Sequence, residues 1–306
     1  MIKKLVSLAA LCLLVGCVDQ NPTLEAPVPT LMDQEENELR IIATSFATMQ
    51  ILDALDLDLI ARSETTGELP VRYQDLPTVG TAMSPDSEAI VMLEPTDIIG
   101  PDTLIETIKP TYDAAGIEGT WLDLQSVEGM YASIEMLGEK YGRQEQAQEL
   151  VEEYHATLED FASQVVGKDP PTVMVLMGLP GAYIGCTDHS YVGSLVHLTG
   201  AENVIKVDTN ENFVSWNTEE LLLCDPDIIL LTAHGLPDLA MEFFTTEFAT
   251  NDIWKNFRAV ENGRVYALDY GTFGMSATFS WPDAFADLHE IYYGDSQDSF
   301  MKESEG

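Results

Sequence analysis

The feature that most restricts how this chain can fold is the stretch GRQEQAQELVEEYHATLEDFASQVV, residues 142–166, which has no proline and no glycine after its first residue. Its apolar and small side chains recur at helical spacing among polar ones, which predicts one helix of about seven turns. Lys168-Asp169-Pro170-Pro171 ends it. On both sides of this helix, short apolar runs alternate with helical patterns. Arg40 to Ser45 reads as a strand and turn, Phe46 to Leu55 as a helix, Leu59-Ile60-Ala61 as a strand, and a third short strand ends at Val79-Gly80. The next helix is expected to start at Ser84-Pro85, with serine as N-cap and proline at the first helical position. After the long helix, the alternation resumes with the strand Thr172 to Met177 and closes on a helix around Asp283 to Tyr293. The predicted class is α/β: two Rossmann-like lobes with parallel sheets, joined by one long spanning helix, with a ligand cleft between them. The expected boundaries are 40–139 for the N-terminal lobe, 140–168 for the interlobe helix and 169–295 for the C-terminal lobe. The ~265 residues from Arg40 onward exceed the usual size of a single core, which agrees with two lobes.

The first residues, MIKKLVSLAALCLLVGC, join two lysines to an apolar run too short to span a bilayer. The run ends in Leu14-Val15-Gly16-Cys17, a signal peptide with a lipobox. Residues 1–16 are expected to be removed, and Cys17 to carry a diacylglyceryl thioether with a palmitate-type acyl chain on the new amine. Several chains anchor firmly where one does not. Residues 17–39 form a lipidated, acidic, proline-rich stalk, and residues 296–306 an acidic tail. The expected location is the extracytoplasmic face of the cell membrane, held by the lipid.

The formal charge is −38, and loss of residues 1–16 removes Lys3, Lys4 and no acid, which makes it two charges more negative. Such a surface excludes nucleic acid and anionic headgroups as partners. Cys186 and Cys224 are the cysteines left beyond the anchor, which makes neither a disulfide framework nor a zinc cluster, although one pairing between them is open.

Within IILLTAHGLPD, residues 228–238, an unbroken apolar run stops at His234 before glycine and proline. A strand buried on both faces reads this way. Open α/β sheets bind ligands beyond the carboxyl ends of their strands, so His234 stands either as a binding group or as a strand-end residue bonded to backbone. A faint internal repeat accompanies it: Glu88 and Glu219 each lie seven residues before a proline, Pro95 and Pro226, at the start of a helix that leads into a strand. Each glutamate reads as acid opposing a helix dipole, and the pair as a matched surface feature.

A lipobox, a stalk, two α/β lobes and a spanning helix resemble the class III substrate-binding proteins of ABC importers. Within that family the chain is most similar to the haem-receptor lipoproteins of the iron-regulated surface determinant type. The likeness runs from about Arg40 to about Phe273. It is carried by LPTVGTAMSPDSE (76–88), KYGRQEQA (140–147), DHSYVGSLV (188–196), DPDIILLTAHGLP (225–237) and NDIWKNFRAVENGRVYAL (251–268). The resemblance implies a receptor for haem b as transported ligand, not an enzyme. It implies axial ligation of the iron by Met83, from TAMSPD, and His234, from TAHGLP. Methionine with histidine is a known axial combination, and filling both axial places suits carriage rather than oxygen chemistry. It also implies docking of Glu88 and Glu219 on an ABC permease dimer, with the receptor itself a monomer. Haem is dianionic and the surface is strongly acidic, so handover from a haem-donating surface protein is expected.

Thr44 and Ser45, at a strand-to-helix turn, offer hydroxyl and backbone donors for the haem propionates. Ser63, Thr65 and Thr66 add hydroxyls in a loop where the lysine of the family is absent. Tyr183, Ile184, Tyr191 and Phe273 are candidates to cover the porphyrin, and His189 to line the pocket or meet a propionate. His155, His197 and His289 read as structural.

The same architecture serves ferric siderophores and cobalamin, although the arginines form no evident cluster for a catecholate, and cobalamin gives no use for a methionine–histidine pair. A zinc or manganese receptor would need a richer set of histidines and acids. A porphyrin metal chelatase is the enzymatic alternative, opposed by the lipobox.

Overall fold

The computed structural model describes residues 39–294 and 299–300. Cys17, the expected signal peptide, the stalk up to residue 38, and the tail apart from Ser299 and Phe300 lie outside the described residues.

The first lobe follows the expected alternation: β1 (Ile41–Ala43), α1 (Phe46–Ala54), β2 (Leu59–Glu64), β3 (Thr78–Thr81), β4 (Ser84–Pro85), α2 (Ser87–Met92), β5 (Asp97–Pro101), α3 (Ile105–Ala115) and β6 (Gly119–Leu122). The sheet order is β4-β3-β2-β1-β5-β6, and every pairing is parallel except β3 with β4. The sheet therefore grows in one direction from β1 through β2 and in the other through β5. A crevice opens at the carboxyl end of β1, where such a reversal occurs.

The antiparallel pair is a departure from expectation. Ser84-Pro85 does not begin a helix; it folds back on Gly80-Thr81 across a two-residue turn made by Ala82 and Met83. The helix starts later because Asp86 is its N-cap, accepting from the Ala89 amide with a charged oxygen. Gly80 permits the reversal. Its φ is +82°, and a Cβ there would stand 2.5 Å from the Ser84 carbonyl oxygen.

The helix expected over residues 142–166 forms unbroken, whereas the expected interlobe boundary at 140 falls inside the helix before it. α4 (Val127–Tyr141) ends at Gly142 with φ +68°, and α5 (Gln144–Val165) follows. The two form an antiparallel hairpin. Tyr131 and Tyr154 stack with ring centroids 4.2 Å apart, and a Cβ on Gly138 would meet that of Ala147 at 2.6 Å. At its other end α5 stacks Phe161 on Phe285, centroids 3.8 Å apart, and packs the same ring edge-on against Trp281. Both partners belong to α10 (Trp281–Tyr293) of the second lobe, so α5 runs from one lobe's helices to the other's.

The second lobe contains β7 (Thr172–Leu179), β8 (Ala182–Cys186), α6 (Tyr191–Leu198), β9 (Glu202–Asn203), β10 (Phe213–Val214), α7 (Thr218–Leu222), β11 (Ile228–Ala233), α8 (Pro237–Thr250), α9 (Arg258–Glu261) and β12 (Val265–Ala267), followed by α10. β7, β9, β11 and β12 pair in parallel, whereas β8 runs antiparallel to both β7 and β10. The sheet is mixed rather than parallel because only Pro180 and Gly181 separate β7 from β8, too few residues for a crossover. All of β11 is buried. α8 lies so close to β7 that a Cβ on Gly178 would meet Ala240 at 2.8 Å. One buried cluster extends from Ile41 and Leu52 of the first lobe through Tyr131 and Tyr154 to Val175, Tyr191 and Trp281 of the second, so the lobes share a core. Cys186 is buried and Cys224 half-buried, and both are free thiols. No helix among the described residues is long and apolar enough to cross a membrane.

Candidate ligand-binding cleft

The carboxyl ends of the strands in both lobes face a cleft of about 600 Å³, within the range of small-molecule sites. From the first lobe come Ser45, which caps α1, the hairpin tip Ala82-Met83, and Pro101, Thr103, Leu104 and Thr107 at the passage from β5 into α3. From the second come Glu211, Asn212 and Phe213 at β10, His234 beyond β11, and Met275 and Ser276 after β12.

Met83 is held there by the turn. Its side chain is 56% exposed at a hairpin tip, so it contributes little to the core and is free to meet a ligand. His234 is delivered by backbone geometry. Its amide donates to the Gly178 carbonyl at 3.1 Å, which ends the sheet, and Gly235 (φ +63°) with Leu236 (φ +42°) then turns the chain into α8. A leucine in the left-handed region is strained, and Pro237 at the helix start limits the alternatives. The imidazole of His234 is exposed to the cleft and has no side-chain hydrogen bond among the described residues, so the strand-end alternative applies to its backbone alone.

The wall of the cleft carries a polar relay between the lobes. Gln125 donates to both carboxyl oxygens of Asp102, at 3.0 and 2.9 Å, and accepts from the side-chain amide of Asn212. Burial raises the pKa of Asp102, partly offset by the hydrogen bond from Gln125. Close by, the Ala277 amide donates to the Leu124 carbonyl at 2.8 Å, a second tie between lobes.

Residues 41–270 match the family model described as periplasmic binding protein. The chain belongs to the periplasmic binding protein family. Among its relatives, the high-affinity heme uptake system protein IsdE of Staphylococcus aureus strain Newman is 38% identical over 264 residues, covering 86% of this chain and 90% of that protein. The crystal structure of S. aureus IsdE complexed with heme superposes with a TM-score of 0.80 at 38% identity, covering 84% of this chain and 99% of the other. An ABC transporter substrate-binding protein from Listeria monocytogenes EGD-e gives the same TM-score of 0.80 at 41% identity, covering 84% and 100%. The two-lobed α/β fold is thus that of a binding protein, with mixed sheets where parallel ones were expected.

In this binding protein Met83, His234 and Ser45 line the cleft. The other expected ligand-side residues stand elsewhere. Thr44 is buried and its hydroxyl donates to the Ile99 carbonyl at 3.1 Å. Ser63 is buried with its hydroxyl unpartnered, and the Thr65 hydroxyl accepts from the Gly67 amide at 3.1 Å. Tyr183 faces the second lobe's core, ringed by Phe244 and Trp254, with its hydroxyl 2.8 Å from that of Thr218. Tyr191 and Phe273 are core residues at 2% and 1% exposure, and burial pushes the Tyr191 phenol well above its usual range. His189 is exposed in the loop before α6, outside the cleft lining. His155 and His197 are exposed on helices, and His289 lies 2.7 Å from the Lys168 ammonium.

The cleft-lining residues that sequence reasoning missed include Thr103, Leu104, Thr107, Glu211, Asn212, Phe213, Met275 and Ser276. The strand-end rule that singled out His234 also covers Thr103 and Met275, which follow β5 and β12. Asn212 and Phe213 belong to a two-residue antiparallel strand without a pattern of its own. Among the described residues, no three histidine, cysteine, aspartate or glutamate side chains are placed to hold a metal ion directly.

Proposed function

We propose that this protein is a lipid-anchored, extracytoplasmic haem receptor that holds the iron between Met83 and His234 and delivers haem to an ABC permease. The observation that carries the reading is the meeting, in one cleft, of a thioether and an imidazole from opposite lobes, neither committed to the fold around it. The chain's match in sequence and shape to a protein crystallised with heme supports it. Soft sulfur paired with imidazole favours ferrous iron and raises the potential, and it leaves no open axial place for oxygen. Apolar cover for the porphyrin would come from Leu104, Phe213 and Met275 rather than from Tyr183, Tyr191 and Phe273.

Delivery would use Glu88 and Glu219, each the second residue of its short helix and each exposed. One turn beyond each stands an apolar side chain, Met92 at 83% and Leu223 at 87% exposure, so the two lobes present matching charge-and-apolar points to a two-subunit partner. Cys17 would carry the lipid and residues 17–39 would form the stalk. The described residues in 40–139, 140–168 and 169–295 serve as lobe, linker and lobe.

The test is a hemin titration by visible absorption of the protein without residues 1–16, beside Met83→Ala and His234→Ala. A stoichiometric low-spin spectrum, altered in each variant, is expected. Absence of binding, or an unchanged spectrum in both variants, refutes the assignment.

A further inference from the structure

Among the described residues no lysine or arginine lines the cleft, and the described cations are occupied elsewhere. Arg62, on the strand beside β1, is the instructive case. Its guanidinium donates to three backbone carbonyls, of Tyr73, Ser63 and Gln74, at 2.9 to 3.2 Å, so it braces the loop after β2 instead of reaching the cleft. Arg40 is likewise spent on the Leu93 and Glu94 carbonyls, and Arg72 on Asp56 and Asp58. The remaining described lysines and arginines are held by carboxylates, backbone carbonyls or aromatic rings away from the cleft. What the cleft does offer an anion is neutral: the hydroxyls of Ser45, Thr103, Thr107 and Ser276 and the amide of Asn212. Besides Asp102 of the polar relay, whose carboxyl oxygens accept from Gln125, the cleft has Glu211 in its lining, an exposed residue whose acid accepts from the Thr209 hydroxyl at 3.1 Å.

We infer that the cleft selects its ligand by iron and ring and leaves the two propionates without a counter-charge, with Glu211 as the residue that penalises them. This rests on the haem reading above and goes beyond it, because it states which part of the ligand meets no opposite charge. A porphyrin whose carboxylates are masked is then as good a ligand as haem itself. The sign of the salt effect follows. Where lysines or arginines grip a carboxylate, added salt screens an attraction and weakens binding. Here the ligand's charge meets Glu211 and a surface of formal charge −38, so salt screens a repulsion and strengthens binding.

The experiment compares hemin with hemin dimethyl ester at about 20 mM and about 500 mM potassium chloride, where the screening length falls from about 20 Å to a few Å. The ester in parallel removes effects of salt on the ring itself. Hemin affinity is expected to rise by roughly two- to fivefold with salt relative to the ester. The ester should bind within about threefold of hemin, or more tightly, and Glu211→Gln should tighten hemin severalfold without changing the ester. An ester bound more than threefold more weakly than hemin, or hemin weakened by salt relative to the ester, overturns the inference and leaves the haem reading standing. A hemin affinity that does not move in Glu211→Gln removes the role of that residue. Failure of both compounds to bind overturns the inference and the haem reading together.

Discussion

Replacing Gly80 by alanine tests whether the β3–β4 hairpin is what delivers Met83. Gly80 sits at φ +82°, and the new Cβ would lie 2.5 Å from the Ser84 carbonyl oxygen and 2.9 Å from the Asp86 nitrogen, both backbone atoms. Neither can yield without moving the turn. The left-handed backbone costs alanine about 1–2 kcal/mol. Relief by opening the hairpin gives up the Asp86 amide bond to the Val79 carbonyl, 2.9 Å in the parent, worth about 1 kcal/mol. The altered hairpin is thus favoured by no more than the strain, and haem binding through Met83 must restore the strained form. The expected loss of hemin affinity is at most about 1–2 kcal/mol, or roughly 5- to 30-fold. The spectrum should shift toward that of Met83→Ala while the His234 ligand remains. Part of the strain is offset in global stability, because alanine also restricts the unfolded chain by about 0.4–1 kcal/mol. The urea midpoint should therefore fall only slightly. Titration by absorption and urea unfolding together decide it: parent affinity and parent spectrum in Gly80→Ala, with the fold intact, refute the argument that the turn positions the ligand.

Glu88→Ala and Glu219→Ala should keep the hemin spectrum and lose most permease-dependent haem uptake in reconstituted vesicles; unchanged uptake in the double variant rejects the docking sites. Tyr183→Phe removes the bond to Thr218 and should cost about 1 kcal/mol in urea unfolding without altering the hemin titration, as suits a core residue. Asp227 accepts from the Thr172 amide and hydroxyl at 2.9 and 2.8 Å, and the amide bond is the main cause that holds its pKa below the usual carboxylate value. A depressed folded-state pKa stabilises above the unfolded value of 3.8, and that contribution fades as pH falls through the folded value. Asp227→Asn should accordingly be less stable than the parent at pH 7 and approach it near pH 2, with urea midpoints at both pH values as the check.

The parts of the fold legible in the sequence are those with a strong period. β11 is apolar throughout and buried throughout, and the strand-end rule led from it directly to His234. The hairpins were not legible, because short antiparallel additions have no period. Ser84-Pro85 has the residues of a helix start, and only the cramped Gly80 turn, a matter of tertiary geometry, makes it a strand. The long helix over 142–166 was as legible as β11 and forms as α5, whereas the end of α4 at Gly142, whose left-handed φ serves a hairpin, is not revealed by the local pattern. Tyr183, Tyr191 and Phe273 show the limit for the site. An aromatic side chain suits a porphyrin face and a protein core equally well, and only packing against Phe244, Trp254 or Trp281's cluster separates the two.

The shared core bears on how such a receptor could let go of its ligand. A buried cluster that runs through both lobes, the Tyr131–Tyr154 and Phe161–Phe285 stacks along α5, and the Asn212–Gln125–Asp102 relay all resist separation of the lobes. Wide spontaneous opening would expose several aromatic side chains at about 1.5–3 kcal/mol each. On the proposed haem reading, affinity would then owe little to closure around haem and most to two axial bonds to iron, one from each lobe. Release would require that these bonds be parted, and a small displacement of one lobe would suffice if each lobe supplies a single ligand. Glu88 lies on the helix that follows Met83's hairpin, and Glu219 on the helix that precedes His234's strand. A partner that grips both glutamates and shifts them relative to each other would act on the elements that bear the two proposed ligands, so docking and release would be one mechanical event.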